Sequence, residues 1–419
     1  MKKKGRYQHT NPNKASKRKY MSYEDVPLRE YRDTEPVPQN LTQKFIKVFF
    51  FLFIAVVAVM AMINVDNLTP DNISHWFQYD LLGKTEGSGY PVRFNGISVN
   101  SDNFSVMDRT PVYCSDTSVV VLNSNAGEYQ NTQHSFANPI MKTNMNYSII
   151  FNADATNYKI INRESTVYSG TTDKKLFDAD VAENGTYALL TYGSDYLSTL
   201  NVYKSDNNKR YVYSFADYYV NNLSLNNNGS GAALSGVSAK NGGLISVIYI
   251  LDFNQKNYLQ KYEIEDSYVY DIKYLDNGNV IAVGDSCAYN IDVENGKKTD
   301  INYGSKTLTT YTLNAKYGLL LSLSVNPDGR ECDIIAVNNT GKTETEINTK
   351  NKVESLDYKN EKIAALLPSS VVIYDTSGKQ LAISETSTDA RKACFADNNT
   401  LYVLGTSNIS KISVDYSKN

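Results

Sequence analysis

The chain has 419 residues, 33 tyrosines, one tryptophan, three histidines, four cysteines and a formal net charge of −3. That length exceeds one ordinary small domain but suits a repeat architecture. His9, His75 and His134 lie too far apart to form a zinc site or a His-based triad among themselves. Cys114, Cys287, Cys332 and Cys394 show no C-x-x-C spacing and read as buried hydrophobes rather than a disulfide framework.

Charge is unevenly distributed. Residues 1–44 carry eleven Lys/Arg against five acids, a net of +6, which leaves −9 for the remainder. This first stretch is polar and basic, with Pro36 and Pro38 near its end, and reads as a disordered cytoplasmic tail. The apolar run Phe45–Ile63 follows. Eleven of the sixteen residues from Val48 to Ile63 are Leu, Ile, Val or Phe, a composition that favours bilayer insertion by roughly 3 to 7 kcal/mol. As a helix it rises about 28 Å, close to the hydrocarbon thickness. Lys44 and Lys47 can snorkel at one end. A cleaved signal peptide is the competing reading, but the long basic stretch and long apolar run favour a permanent signal anchor with the C-terminal side extracytoplasmic. The bilayer is thus the first expected partner.

Residues 64–89 are expected to hold a short amphipathic helix and a linker. Thr69 can N-cap, Pro70 suits the first turn, and Ile73, Trp76, Phe77 and Leu81 share one face.

From Tyr90 to the end the texture is that of short Val/Ile/Tyr/Leu/Thr runs divided by Asn/Asp/Gly turns. The stretch 176–215 contains four strand-like segments, and 268–303 repeats their order. The first turn recurs as AENGT, NNNGS and LDNGN. The last recurs as NSNAGE (123–128), DVENGK (292–297), VNNTGK (337–342) and YDTSGK (374–379). The units fall near 104–136, 138–170, 176–215, 219–265, 268–303, 307–348, 351–385 and 388–415. Spacing of about 35 to 45 residues is the period of a four-stranded propeller blade. The expected fold class is therefore an all-β propeller over residues 90–419, with eight blades and seven as the alternative. The last unit lacks one strand, which a segment near Tyr90–Gly96 can supply to close the ring.

The repeated turns, YDTSGK above all, resemble those of the Trp-Asp and quinoprotein-like propeller superfamily, over about 325 residues. The whole layout is similar to an uncharacterised family of single-pass, membrane-anchored propeller proteins of Clostridia-type Gram-positive bacteria. That family carries no assigned catalytic residues, so the resemblance implies none here. Quinone enzymes of related fold use tryptophan around their cofactor; the repeats here contain none.

No Walker loop, dinucleotide fingerprint, G-x-S-x-G elbow or Ca²⁺ loop is present. No catalytic residue, metal or cofactor is assigned. Aligning the innermost strands on their turns places Asp178, Asn222 and Asp271 at one equivalent position, with Glu354 near it. Such residues can line the channel and bind a ligand, or even serve as paired carboxylates in a hydrolase. Recurrence at one repeat position favours the plainer use, hydrogen bonding to backbone. The expected function is a non-enzymatic, membrane-tethered platform that binds an envelope protein or peptide. A carbohydrate-active or other hydrolytic propeller, and a sensor signalling through the tail, are the alternatives. The acidic repeats argue against nucleic acid as a partner.

Overall fold

The computed structural model describes residues 47–52, 54, 87–326 and 328–418. Residues 47–52 and 54 are helical. The rest of the expected anchor, the tail 1–44 and the expected helix within 64–86 lie outside the described residues. Among the described residues, no helix is long and apolar enough to cross a membrane.

Residues 92–413 form eight four-stranded antiparallel sheets, each a blade of a β-propeller. Blades 1 to 7 span 99–133, 139–171, 176–215, 219–265, 269–302, 307–349 and 355–385, each with its strands in sequence order. Blade 8 takes three strands from 392–413 and its outermost strand from Val92–Arg93. Val92 pairs with Ile409 and Arg93 with Asn408, so the two ends of the domain close the ring. Closure through the shared sheet leaves no broken sheet between the last blade and the first.

Side-chain character decides each strand's place. Second strands such as Tyr187–Tyr192 and Gly318–Ser324 are nearly continuous apolar runs, buried on both faces between neighbouring blades. Outer strands such as Lys297–Asn302 and Thr343–Thr349 are largely polar and exposed. The buried side chains fall into eight clusters, and every one spans two adjacent blades. The cluster joining blades 8 and 1, for instance, packs Tyr402 and Ile409 against Phe104 and Tyr113. All four cysteines are buried and free, each in a different blade.

The turn motif has a direct physical cause. In VNNTGK the Asn338 Oδ1 accepts from the backbone N–H of Thr340 and Lys342; in YDTSGK the Asp375 Oδ1 accepts from those of Ser377 and Lys379. Gly341 and Gly378 sit at φ of 80° and 86°, where a side chain is strained. In NSNAGE the same role falls to Asn123, and Ala126 takes the left-handed position at φ 64°.

Because each blade is a meander, its two faces are built differently. The hairpins joining strands 1–2 and 3–4 share one face, here the hairpin face. The hairpins joining strands 2–3, with the blade-to-blade connections, share the other, here the crossover face.

Candidate functional site at the inner ring and the crossover face

The predicted equivalence of three inner-strand residues holds in register. In blades 3, 4 and 5 a bulge interrupts the pairing, and Asp178, Asn222 and Asp271 are the first paired residues after it, with Thr310 in the same place in blade 6. Glu354 does not share the position. It precedes the strand Ser355–Lys359, lies 3.1 Å from Lys352 Nζ, and Ser355 makes the equivalent contact instead.

These residues hook one blade to the next. Asp178 accepts from the Ala179 N–H at 2.8 Å and, through Oδ2, from Leu223 N–H of blade 4 at 2.7 Å. Two residues on, Asp180 repeats this with Val181 and Leu225. Ser355 and Asp357 accept in the same way from Ala393 and Phe395 of blade 8. Asn103 binds the Pro139 carbonyl and the Met141 N–H of blade 2. Asn222 donates to Ser235 Oγ at 2.9 Å and reaches the Val269 carbonyl of blade 5 at 3.5 Å. The bonds occupy the backbone groups of strands whose inner edge has no sheet neighbour.

One side chain crosses the pattern. Lys142 of blade 2 donates to Asp178 Oδ2 at 2.5 Å and to the Leu223 carbonyl of blade 4 at 2.9 Å, bracing three blades. Burial opposes its charge, but Asp178, Asp180 and Asp271 outweigh that and its pKa is raised. Burial pushes Asp178 up to about 6 although Lys142 pulls the other way. Burial also raises Asp271, which accepts from Ile272 N–H at 2.8 Å and from the Tyr311 hydroxyl at 3.4 Å. The structure thus brings Asp178 and Asp271 into one electrostatic cluster around Lys142. It leaves Asn222 within its own blade interface and Glu354 outside. Every oxygen of Asp178 and Asp180 is engaged by a backbone or lysine donor. This arrangement can hold strands together; it does not present a free carboxylate pair to a substrate.

Sequence reasoning missed Lys142, Asp180 and a Cys–His pair. His134 Nε2 lies 3.2 Å from Cys114 Sγ, and His134 Nδ1 accepts from Phe136 N–H, which leaves the Nε2 proton to point at sulfur. Burial pushes the Cys114 thiol up to about 12 and lowers the His134 pKa. Such a thiol is a packing group rather than a nucleophile. His134 also borders an open cleft of about 700 Å³ between blades 1 and 2, lined further by Phe136, Tyr158 and Lys159.

The two faces differ in their exposed aromatics, although Met145, Tyr258 and Leu259 are also exposed on the hairpin face. On the hairpin face, asparagines link successive blades: Asn146 to the Glu183 carbonyl, Asn184 to that of Asn228, Asn277 to that of Asn339, and Asn360 to Asn398 Oδ1. On the crossover face, large apolar side chains stand in solvent: Ile97, Tyr196, Tyr219, Leu244, Tyr270 and Val325.

Comparison with known proteins agrees with this architecture. No curated protein matches the chain. Among solved structures, the computationally designed Ika8 protein is 11% identical with a TM-score of 0.55, covering 78% of this chain and 99% of its own. A eukaryotic initiation factor is 12% identical with a TM-score of 0.53, covering 78% and 89%. BamB from Moraxella catarrhalis is 12% identical with a TM-score of 0.49, covering 78% and 100%. At such identities the first two likenesses show the propeller fold alone. Residues 92–414, from the closing strand to the end of blade 8, match the model of a family of unknown function, DUF5711, and the chain belongs to that family.

Proposed function

We propose that this protein is a membrane-tethered, non-enzymatic platform whose propeller binds another protein of the cell envelope. The observation that carries the reading is the set of three exposed tyrosines, Tyr196, Tyr219 and Tyr270, on the crossover face of blades 3 to 5, while the inner-ring carboxylates engage in blade-to-blade bonds. Exposed large apolar and aromatic side chains on a rigid scaffold's loops suit a role in interaction. The tether is the apolar run Phe45–Ile63 with its basic flank, which supports a cytoplasmic N-terminus and an extracytoplasmic propeller.

Site-specific photocrosslinking in cells tests this. A photoreactive residue in place of Tyr219 should give a discrete crosslinked protein, and external protease should degrade the propeller in intact wall-stripped cells. Absence of any protein crosslink from either face sinks the platform; a protected propeller overturns the orientation.

A further inference from the structure

The exposed aromatics of the crossover face are concentrated in blades 3 to 5. Tyr196, Tyr219 and Tyr270 are 51%, 49% and 45% exposed. Tyr270 is held in place, and so are other rings of the same face in blades 3 and 5. Phe177 and Tyr192 stack at 3.9 Å between centroids, and the Tyr192 hydroxyl donates to Asp154 Oδ1 at 3.1 Å. Tyr268 and Tyr270 meet edge to face at 5.3 Å, and Asn221 Nδ2 donates to the Tyr268 hydroxyl at 3.4 Å. Burial of a ring held in this way, as Tyr270 is, costs little side-chain entropy on binding a partner.

The same loops carry carboxylates. Asp154, Asp195, Asp217, Asp266 and Asp285 are all exposed, against the lysines Lys174, Lys175 and Lys240. Lys240 already lies within 3.6 Å of Glu265 and 3.8 Å of Glu263. An aromatic ring beside a carboxylate suits a guanidinium or ammonium group: the ring face attracts the cation and the carboxylate accepts its hydrogen bonds. Neutral or acidic ligands would gain the stacking but not the charge.

We infer that this arc is a docking site for an extended, arginine- or lysine-bearing segment of a partner protein, with apolar side chains between the cations. The inference rests on the platform reading above and gives it a location and a chemistry.

The test uses the full-length chain in detergent micelles and a fluorescein-labelled twelve-residue peptide alternating Arg with Leu, read by anisotropy. A peptide with Glu in place of Arg is the control. The Arg peptide should bind and the Glu peptide should not. The triple variant Tyr196→Ser/Tyr219→Ser/Tyr270→Ser should weaken binding by about tenfold or more, with its melting temperature unchanged. Asp195→Asn/Asp217→Asn should weaken it by about threefold and flatten its salt dependence. Equal binding of both peptides, no binding of the Arg peptide, or variants that bind like the parent would overturn the site. A cellular crosslink obtained only from a photoreactive residue at Asn228, on the hairpin face, would remove this site while leaving the platform reading intact.

Discussion

The hairpin face and the crossover face are built from the same eight blades, yet they present different side chains to solvent. On the hairpin face, Asn184, Asn277 and Asn360 reach to the next blade, and Asn338 and Asp375 cap their own turns. Those polar groups are satisfied within the frame, although Met145, Tyr258 and Leu259 are exposed on the same face. On the crossover face, Tyr196, Tyr219 and Tyr270 project into solvent beside exposed carboxylates. The difference teaches that a repeated polar residue belongs to the frame, whereas the residues available for binding are those that break the repeat. The inner ring sides with the hairpin face: its carboxylates recur because each holds the following blade.

Substitutions in the frame should therefore cost stability, and substitutions on the crossover face should not. The largest effect is expected from Lys142→Met, which strips Asp178 of its cation and the Leu223 carbonyl of a donor. Lys142 is 30% exposed and Asp178 8%, so breaking this partly buried pair should cost about 2 to 3 kcal/mol in denaturant unfolding at pH 7.5, below the cost for a fully buried pair. Loss of Lys142 raises the Asp178 pKa further above its unfolded value, so the deficit should shrink as pH falls toward 4. Next is Gly341→Ala, at about 2 kcal/mol, because φ is 80° and the new Cβ would stand 2.6 Å from Asn290 Cβ.

A smaller, pH-dependent effect should mark Asp357→Asn. Burial pushes Asp357 up to about 6, so the folded state binds a proton more tightly than the unfolded chain. Wild-type stability from this group is greatest below the unfolded pKa and falls as pH rises from about 4 through about 6. Asn keeps an acceptor for the Phe395 N–H and removes the titration. The melting temperature of the variant relative to wild type should therefore rise between pH 4 and pH 7, and a flat difference would contradict the raised Asp357 pKa. The least effect is expected from Tyr196→Ser and Tyr219→Ser, each within about 0.5 kcal/mol of wild type. A loss above about 1 kcal/mol at either would place those tyrosines in the frame and erase the contrast between the faces.

Much of the fold was legible because the chain writes each blade's turns in the same letters: VNNTGK and YDTSGK specify a side-chain cap and a left-handed residue at fixed offsets. The ring's closure was legible because blade 8 lacked a strand and an extended segment stood ready before blade 1. Glu354 falls near the shared inner-strand position rather than at it for a geometric reason. Asp178, Asn222 and Asp271 lie seven residues before Gly185, Gly229 and Gly278, but blade 7 turns through Asn360 and Glu361 alone, between paired Lys359 and Lys362. Counting back from that shorter hairpin lands one residue early, on Glu354 rather than Ser355. Lys142 was invisible for a different reason: a lone lysine in a strand reads as solvent-facing, and its partners lie 36 and 81 residues away. The tyrosines could be read as a binding surface but not located, because tyrosine is also a good strand former and only the three-dimensional ring separates exposed tyrosines from packed ones such as Tyr113 and Tyr402.

Tyrosine footprinting in intact wall-stripped cells tests the division between the faces most directly. Tyr258, on the hairpin face, is 43% exposed and serves as the internal reference. Iodination of the cellular protein, compared with the purified full-length chain, should show Tyr196, Tyr219 and Tyr270 protected and Tyr258 labelled equally in both. Protection of Tyr258 with full labelling of the other three would contradict the account.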